Sequence, residues 1–170
     1  ISRGLVGSEM CIRDSAVRAY DVAFDALEKA TAVGCVACDS AAVAVDGADV
    51  VVTMLPNGDI VERLLIDEQR ILESMQKGAL LIDRSTVAAS SSLRVHECAD
   101  SLGVLCLDAP VSGGVGAAKA GTLAFMCGGT EQAFAAAQTV LGAMGANIFR
   151  AGDAGAGQTA KICNLSLIHI

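Results

Sequence analysis

DVVVTMLPN, residues 49–57, decides how the chain is read. Its first seven residues are almost continuously apolar and rich in β-branched side chains. A strand with one wet face alternates apolar and polar residues, whereas an unbroken run suits a strand buried on both faces of a parallel sheet. Pro56 and Asn57 then turn the chain. Beyond the turn, IVERLLIDEQRILESMQK (60–77) carries apolar residues at helical spacing up to Gly78, and ALLID (79–83) starts another apolar strand.

The same cadence extends in both directions. Upstream, VRAYD (17–21) reads as a strand ending on an acid, AFDALEKATAVG (23–34) as a helix stopped by Gly34, CVACD (35–39) as a strand and SAAVAVDGA (40–48) as a short helix. Downstream, RSTVAASSS leads into a helix over 93–103, followed by the strand VLCLDAPV (104–111) and the glycine-rich SGGVGAAKAG. A strand over 122–129, a helix over 131–145 and a strand over 147–152 complete the pattern. Strands alternating with helices predict an α/β fold with a doubly wound, mostly parallel sheet, in which ligands bind at the carboxyl ends of strands.

Composition narrows the function classes. The chain carries 12 Lys and Arg against 19 Asp and Glu, a net charge of −7, with aromatic residues only 3% of the sequence. Phosphate backbones call for a basic face and usually stacking surfaces, so a nucleic-acid partner is not expected. The chain is 53% hydrophobic, with a mean hydropathy of +0.53, yet no apolar run has the length of a bilayer span. No secretory signal pattern is visible at the start, so a cytoplasmic protein with no membrane partner is expected. Cys35 and Cys38 make a lone CxxC, and the only histidines are His96 and His169. Reduced cysteines serving as small hydrophobes, with no metal site, are the expectation.

Two stretches carry chemistry. In DAPVSGGVGAAKAGTLAFMCGG (108–129), Ser112, Gly113 and Gly114 follow a strand end, where successive backbone N–H groups and a hydroxyl could hold a carboxylate. In GAGQTAKICN (155–164), Lys161 lies one turn into a helix that starts on glycines. Asp21, at a strand end, suits either an acceptor for ribose hydroxyls or a helix cap.

Taken together with VVTMLPN and LLIDRSTV, these stretches resemble the β-hydroxyacid dehydrogenase family, from about residue 17 to 164. The resemblance implies a Rossmann-like domain that binds NAD, and a parent enzyme that moves hydride between NAD and a small hydroxy acid, with homo-oligomeric assembly. It implies Lys161 as the catalytic acid–base group, and Ser112, Gly113, Gly114 and Asn164 as substrate-binding residues. Leu55, Pro56 and Thr86 would line the cofactor, with Asp21 on its ribose. VGAAKAGTL resembles the branch that oxidises 3-hydroxyisobutyrate in valine breakdown more than the tartronate-semialdehyde and glyoxylate reductases. A non-catalytic dinucleotide-binding module would need neither Lys161 nor the SGG turn.

The sequence also departs from the family pattern. Where a first strand and its phosphate loop belong, residues 1–15 (ISRGLVGSEMCIRDS) supply neither, and they are expected to be non-native. The dinucleotide-binding domain is then assigned to 16–154 and the start of an interdomain helix to 155–164. Residues 165–170 are expected to be non-native as well, with Leu165 where the family has an amide one turn past the lysine. Without the first strand and the family's helical domain, the chain is expected to be inactive alone.

Overall fold

The structure, a computed structural model, describes residues 16–168, so the expectation for residues 1–15 lies outside the described residues. A short parallel pair comes first: β1 (Arg18–Ala19), α1 (Phe24–Ala32) and β2 (Val36–Ala37). Next comes α2 (Ala41–Val45), capped by the Ser40 hydroxyl, which accepts the Val43 N–H. Arg18 fastens β1 to α2 by donating to the Val43 carbonyl at 3.2 Å and to the Asp46 carbonyl. Cys35 and Cys38 flank β2, and both are buried free thiols.

The main sheet is built on β3 (Val50–Thr53), β4 (Leu80–Asp83) and β5 (Leu105–Asp108), which run parallel. Alternate residues of these strands face opposite cores. Leu81 and Cys106 pack with Val61, Leu65 and Val95 on one face. Leu80, Ile82 and Leu107 pack with Phe125, Ala133 and Leu141 on the other. All four residues of β4 are buried, as its unbroken apolar run requires.

The helix expected over 60–77 is broken. α3 (Gly58–Glu62), capped by the Asn57 side chain, widens into a π-helical turn over Arg63–Asp67, and α4 (Ile71–Ser74) follows after Arg70 adopts left-handed backbone angles. The cause is legible afterwards. Leu65 and Ile71 are both buried, but the positions three and four beyond Leu65 are Glu68 and Gln69, so the apolar stripe lapses where a regular helix would need it. α5 (Ala89–Leu102) begins four residues before its predicted start and ends on Gly103, whose φ of 73° suits a glycine stop.

The second half reverses strand direction. β6 (Val111–Ser112) leads into α6 (Gly114–Ala120), a helix formed over the stretch read only as glycine-rich. Then follow β7 (Leu123–Gly129), α7 (Glu131–Gly142), β8 (Gly145–Gly152) and α8 (Ala156–Ile168). β5 and β6 lie in succession antiparallel to β7, pairing Asp108 with Gly128 and Ser112 with Ala124, while β8 pairs parallel to β7. The sheet is therefore mostly parallel and wound on both faces, as predicted. Among the described residues, no helix is long and apolar enough to cross a membrane.

Candidate active site

Two acids end adjacent buried strands in register, Asp83 on β4 and Asp108 on β5. Each is surrounded by donors, because a buried carboxyl without partners would be strongly unfavourable.

Asp108 anchors α8. Its Oδ1 accepts the Gly155 N–H at 2.9 Å, its Oδ2 accepts the Gln158 N–H at 3.0 Å, and His96 Nε2 lies 2.9 Å from Oδ1. A carboxylate here satisfies backbone donors that a helix start otherwise leaves open, and it complements the positive end of the helix dipole. Glycine makes the approach possible. A Cβ on Gly157 would lie 2.4 Å from the Met126 carbonyl oxygen and 2.7 Å from Asp108 Oδ2; one on Gly128 would lie 2.5 Å from Asp108 Oδ1.

Asp83 ties together two strand-end loops. Its Oδ1 accepts the Thr53 hydroxyl at 2.8 Å, the Ser85 hydroxyl at 2.6 Å and the Ser85 N–H at 3.1 Å. Ser85 Oγ in turn accepts the Leu55 N–H at 2.8 Å, so the loops after β3 and β4 are joined. Burial pushes the Asp83 carboxyl above its usual range, against the pull of the Ser85 and Thr53 hydrogen bonds. Burial likewise raises the Cys127 thiol to about 12, with Asp108 adding to the shift, so that thiol is no nucleophile near neutral pH.

The residues expected from the sequence are distributed around this frame. Lys161 is only 8% exposed, on the face of α8 that also buries Gly157 and Gln158. Asn164 is half-buried one turn further, and α8 continues through Leu165, which is exposed. Ser112 is half-buried at the end of β6, opposite Ala124, two residues from the Met126 carbonyl that Gly157 abuts. Gly113 and Gly114 both have positive φ, 125° and 64°, and a Cβ on Gly113 would meet the Ala117 Cβ at 2.5 Å. Leu55 packs on the core, while Pro56 and Thr86 are exposed on the two joined loops. Asp21 follows β1, and its Oδ1 accepts the Ala23 N–H at 2.8 Å at the start of α1. The polar groups that hold the loops of Leu55 and Thr86 and the Lys161 helix in place, Asp83, Ser85, His96, Asp108 and Gln158, were not singled out from the sequence. A usable signal was present: LLID and CLD each put an acid at the end of an apolar strand.

Comparison with known proteins agrees with this architecture. The chain is 50% identical over 137 residues to 3-hydroxyisobutyrate dehydrogenase of Pseudomonas aeruginosa, covering 81% of this chain and 46% of that protein. It is 44% identical over 151 residues to the NAD-dependent L-serine dehydrogenase of the same organism, covering 89% of this chain and 51% of that protein. The chain thus spans about half the length of the curated relatives it matches. The solved structure of Mycobacterium tuberculosis 3-hydroxyisobutyrate dehydrogenase with L-serine superposes with a TM-score of 0.91 at 42% identity, covering 97% of this chain and 56% of that one. The family profile described as the NAD binding domain of 6-phosphogluconate dehydrogenase matches residues 4–152, and the chain belongs to that family.

Proposed function

We propose that this chain is the cofactor-binding half of an NAD-dependent dehydrogenase that oxidises 3-hydroxyisobutyrate to its semialdehyde, with Lys161 as the acid–base group. The observation that carries the reading is the burial of Lys161 on a helix clamped to Asp108 and packed on β7, the strand whose Ala124 pairs with Ser112. The 50% identity to the Pseudomonas aeruginosa dehydrogenase supports the choice of substrate.

The loops fit a dinucleotide. They close the carboxyl ends of parallel neighbours β3 and β4, they are joined through Leu55 and Ser85, and they leave Pro56 and Thr86 exposed. Leu55, Pro56 and Thr86 would line NAD, and Asp21 would accept hydrogen bonds from its ribose. NAD, when bound, supplies the hydride acceptor. The Ser112 hydroxyl and the Gly113 and Gly114 amides hold the substrate carboxylate. Lys161 takes the proton from the substrate hydroxyl as the alcohol carbon is oxidised, and returns it in the reverse direction. Asn164, three residues on, shares a face with Lys161 and orients the hydroxyl.

The test replaces residues 1–15 with the matching segment of the Pseudomonas aeruginosa relative, joins the chain to that relative's remaining half, and follows NAD reduction with 3-hydroxyisobutyrate, L-serine and glycerate. The highest kcat/KM is expected for 3-hydroxyisobutyrate. A preference for L-serine would reassign the substrate to an amino-bearing 3-hydroxy acid, and absence of turnover with all three would overturn the reading.

A further inference from the structure

Gln158 is fully buried, and both ends of its amide are used. Oε1 accepts the Val87 N–H at 3.0 Å, and Nε2 donates to the Ser85 carbonyl at 2.8 Å. Those two backbone groups flank Thr86. The orientation of the amide is fixed by its partners, since an N–H must meet the oxygen and a carbonyl must meet the nitrogen. We infer that Gln158 is a positioning residue that holds the Thr86 loop and the Lys161 helix as one unit.

The inference rests on the proposed roles of Thr86 and Lys161, and its physical basis is independent of them. An apolar side chain would fill the same space without burying an amide, so the amide is there for its two bonds. Glutamate keeps the acceptor and loses the donor, and asparagine is one methylene shorter. The backbone N–H of Gln158 is itself held by Asp108 Oδ2 at 3.0 Å, so the bracket has a fixed base. Lys161 lies three residues further on the same helix face. Thr86 is thereby presented outward by its two neighbours, with its own side chain left exposed. A shift of this loop relative to α8 would change the distance between a cofactor-lining residue and the acid–base group.

Two measurements test the inference. In the joined enzyme, Gln158→Glu is expected to lower kcat by about tenfold to a hundredfold, the scale of a misplacement near 1 Å. KM for the hydroxy acid should change by less than about twofold, because the SGG turn is untouched. The kcat deficit should shrink as pH falls, since a protonated glutamate again donates to the Ser85 carbonyl. Unchanged kcat, or parallel losses in kcat and KM with no pH dependence, would overturn the inference. In the unaltered 170-residue chain, amide exchange at Val87 and Gln158 should proceed through a common opening with the same denaturant dependence. Independent opening would overturn the coupling even if the joined enzyme showed no dehydrogenase activity, and so separates this inference from the proposed function.

Discussion

Gln158 donates its backbone N–H to Asp108 Oδ2 at 3.0 Å, which fastens the first turn of α8 to the end of β5. Gly155 completes the attachment by donating to the other carboxyl oxygen. Asp108→Ala is therefore expected to destabilise the fold by about 2–4 kcal/mol, because buried donors lose a charged acceptor. Urea unfolding measures the loss. A change below about 0.5 kcal/mol, the range of ordinary surface substitutions, would show that the attachment contributes little.

Gly157 tests the same contact from the helix side. Its substitution by alanine would place a Cβ 2.4 Å from the Met126 carbonyl oxygen and 2.8 Å from the Asp108 carbonyl oxygen, both backbone atoms that cannot rotate away. Gly157→Ala should cost roughly 1–3 kcal/mol, in the range of overpacked cores, although alanine is the better helix former. Gly142, the last residue of α7, meets nothing within 4 Å among the described residues and serves as the control. Equal melting temperatures for the two alanine variants would contradict the tight seat of α8.

Asp83 predicts a pH dependence of known sign. Its folded-state carboxyl titrates above the ordinary aspartate range because of burial. The folded state therefore holds a proton that the unfolded state has released, and stability falls as pH rises from the ordinary range through the raised one. Asp83→Asn keeps an oxygen for the Thr53 and Ser85 donors and removes the titration. Its stability relative to the parent chain should rise across that window by up to about 1.4 kcal/mol per pH unit and then level off. A pH-independent difference between the two proteins would contradict the raised titration of Asp83.

Asp21 sets the expected cofactor preference. Its carboxyl follows β1 and caps the turn into α1 through the Ala23 N–H. An acid in this place favours ribose hydroxyls and repels a 2′-phosphate. The joined enzyme should prefer NAD, and Asp21→Ser should narrow the ratio of kcat/KM between NAD and NADP. A parent preference for NADP would remove the assigned role.

The sequence made the sheet legible because its strands are extreme. β4 and β5 are apolar and largely buried on both faces, as in a parallel sheet covered on two sides, whereas β3, expected to be buried likewise, ends the sheet among the described residues and leaves Val52 exposed. Lys161 and the SGG turn were singled out through their neighbours in two glycine-rich stretches. The polar frame was less so. Asp108 meets Gly155 and Gln158 across separations of 47 and 50 residues, and Gln158 meets Ser85 across 73. Local periodicity carries no information at that range. The broken helix over 60–77 failed for a different reason: its apolar residues are correctly spaced within each half, and only the polar run from Asp67 to Arg70 marks the break.

Lys161 carries the proposed chemistry, and its removal is the most direct test. In the joined enzyme, Lys161→Ala should lower kcat for 3-hydroxyisobutyrate oxidation by roughly 10²–10⁴-fold, the range for losing a general acid–base group. NAD affinity should stay near that of the parent enzyme, because Leu55, Pro56, Thr86 and Asp21 lie on other elements. Near-normal turnover in Lys161→Ala would contradict the assignment of proton transfer to this lysine.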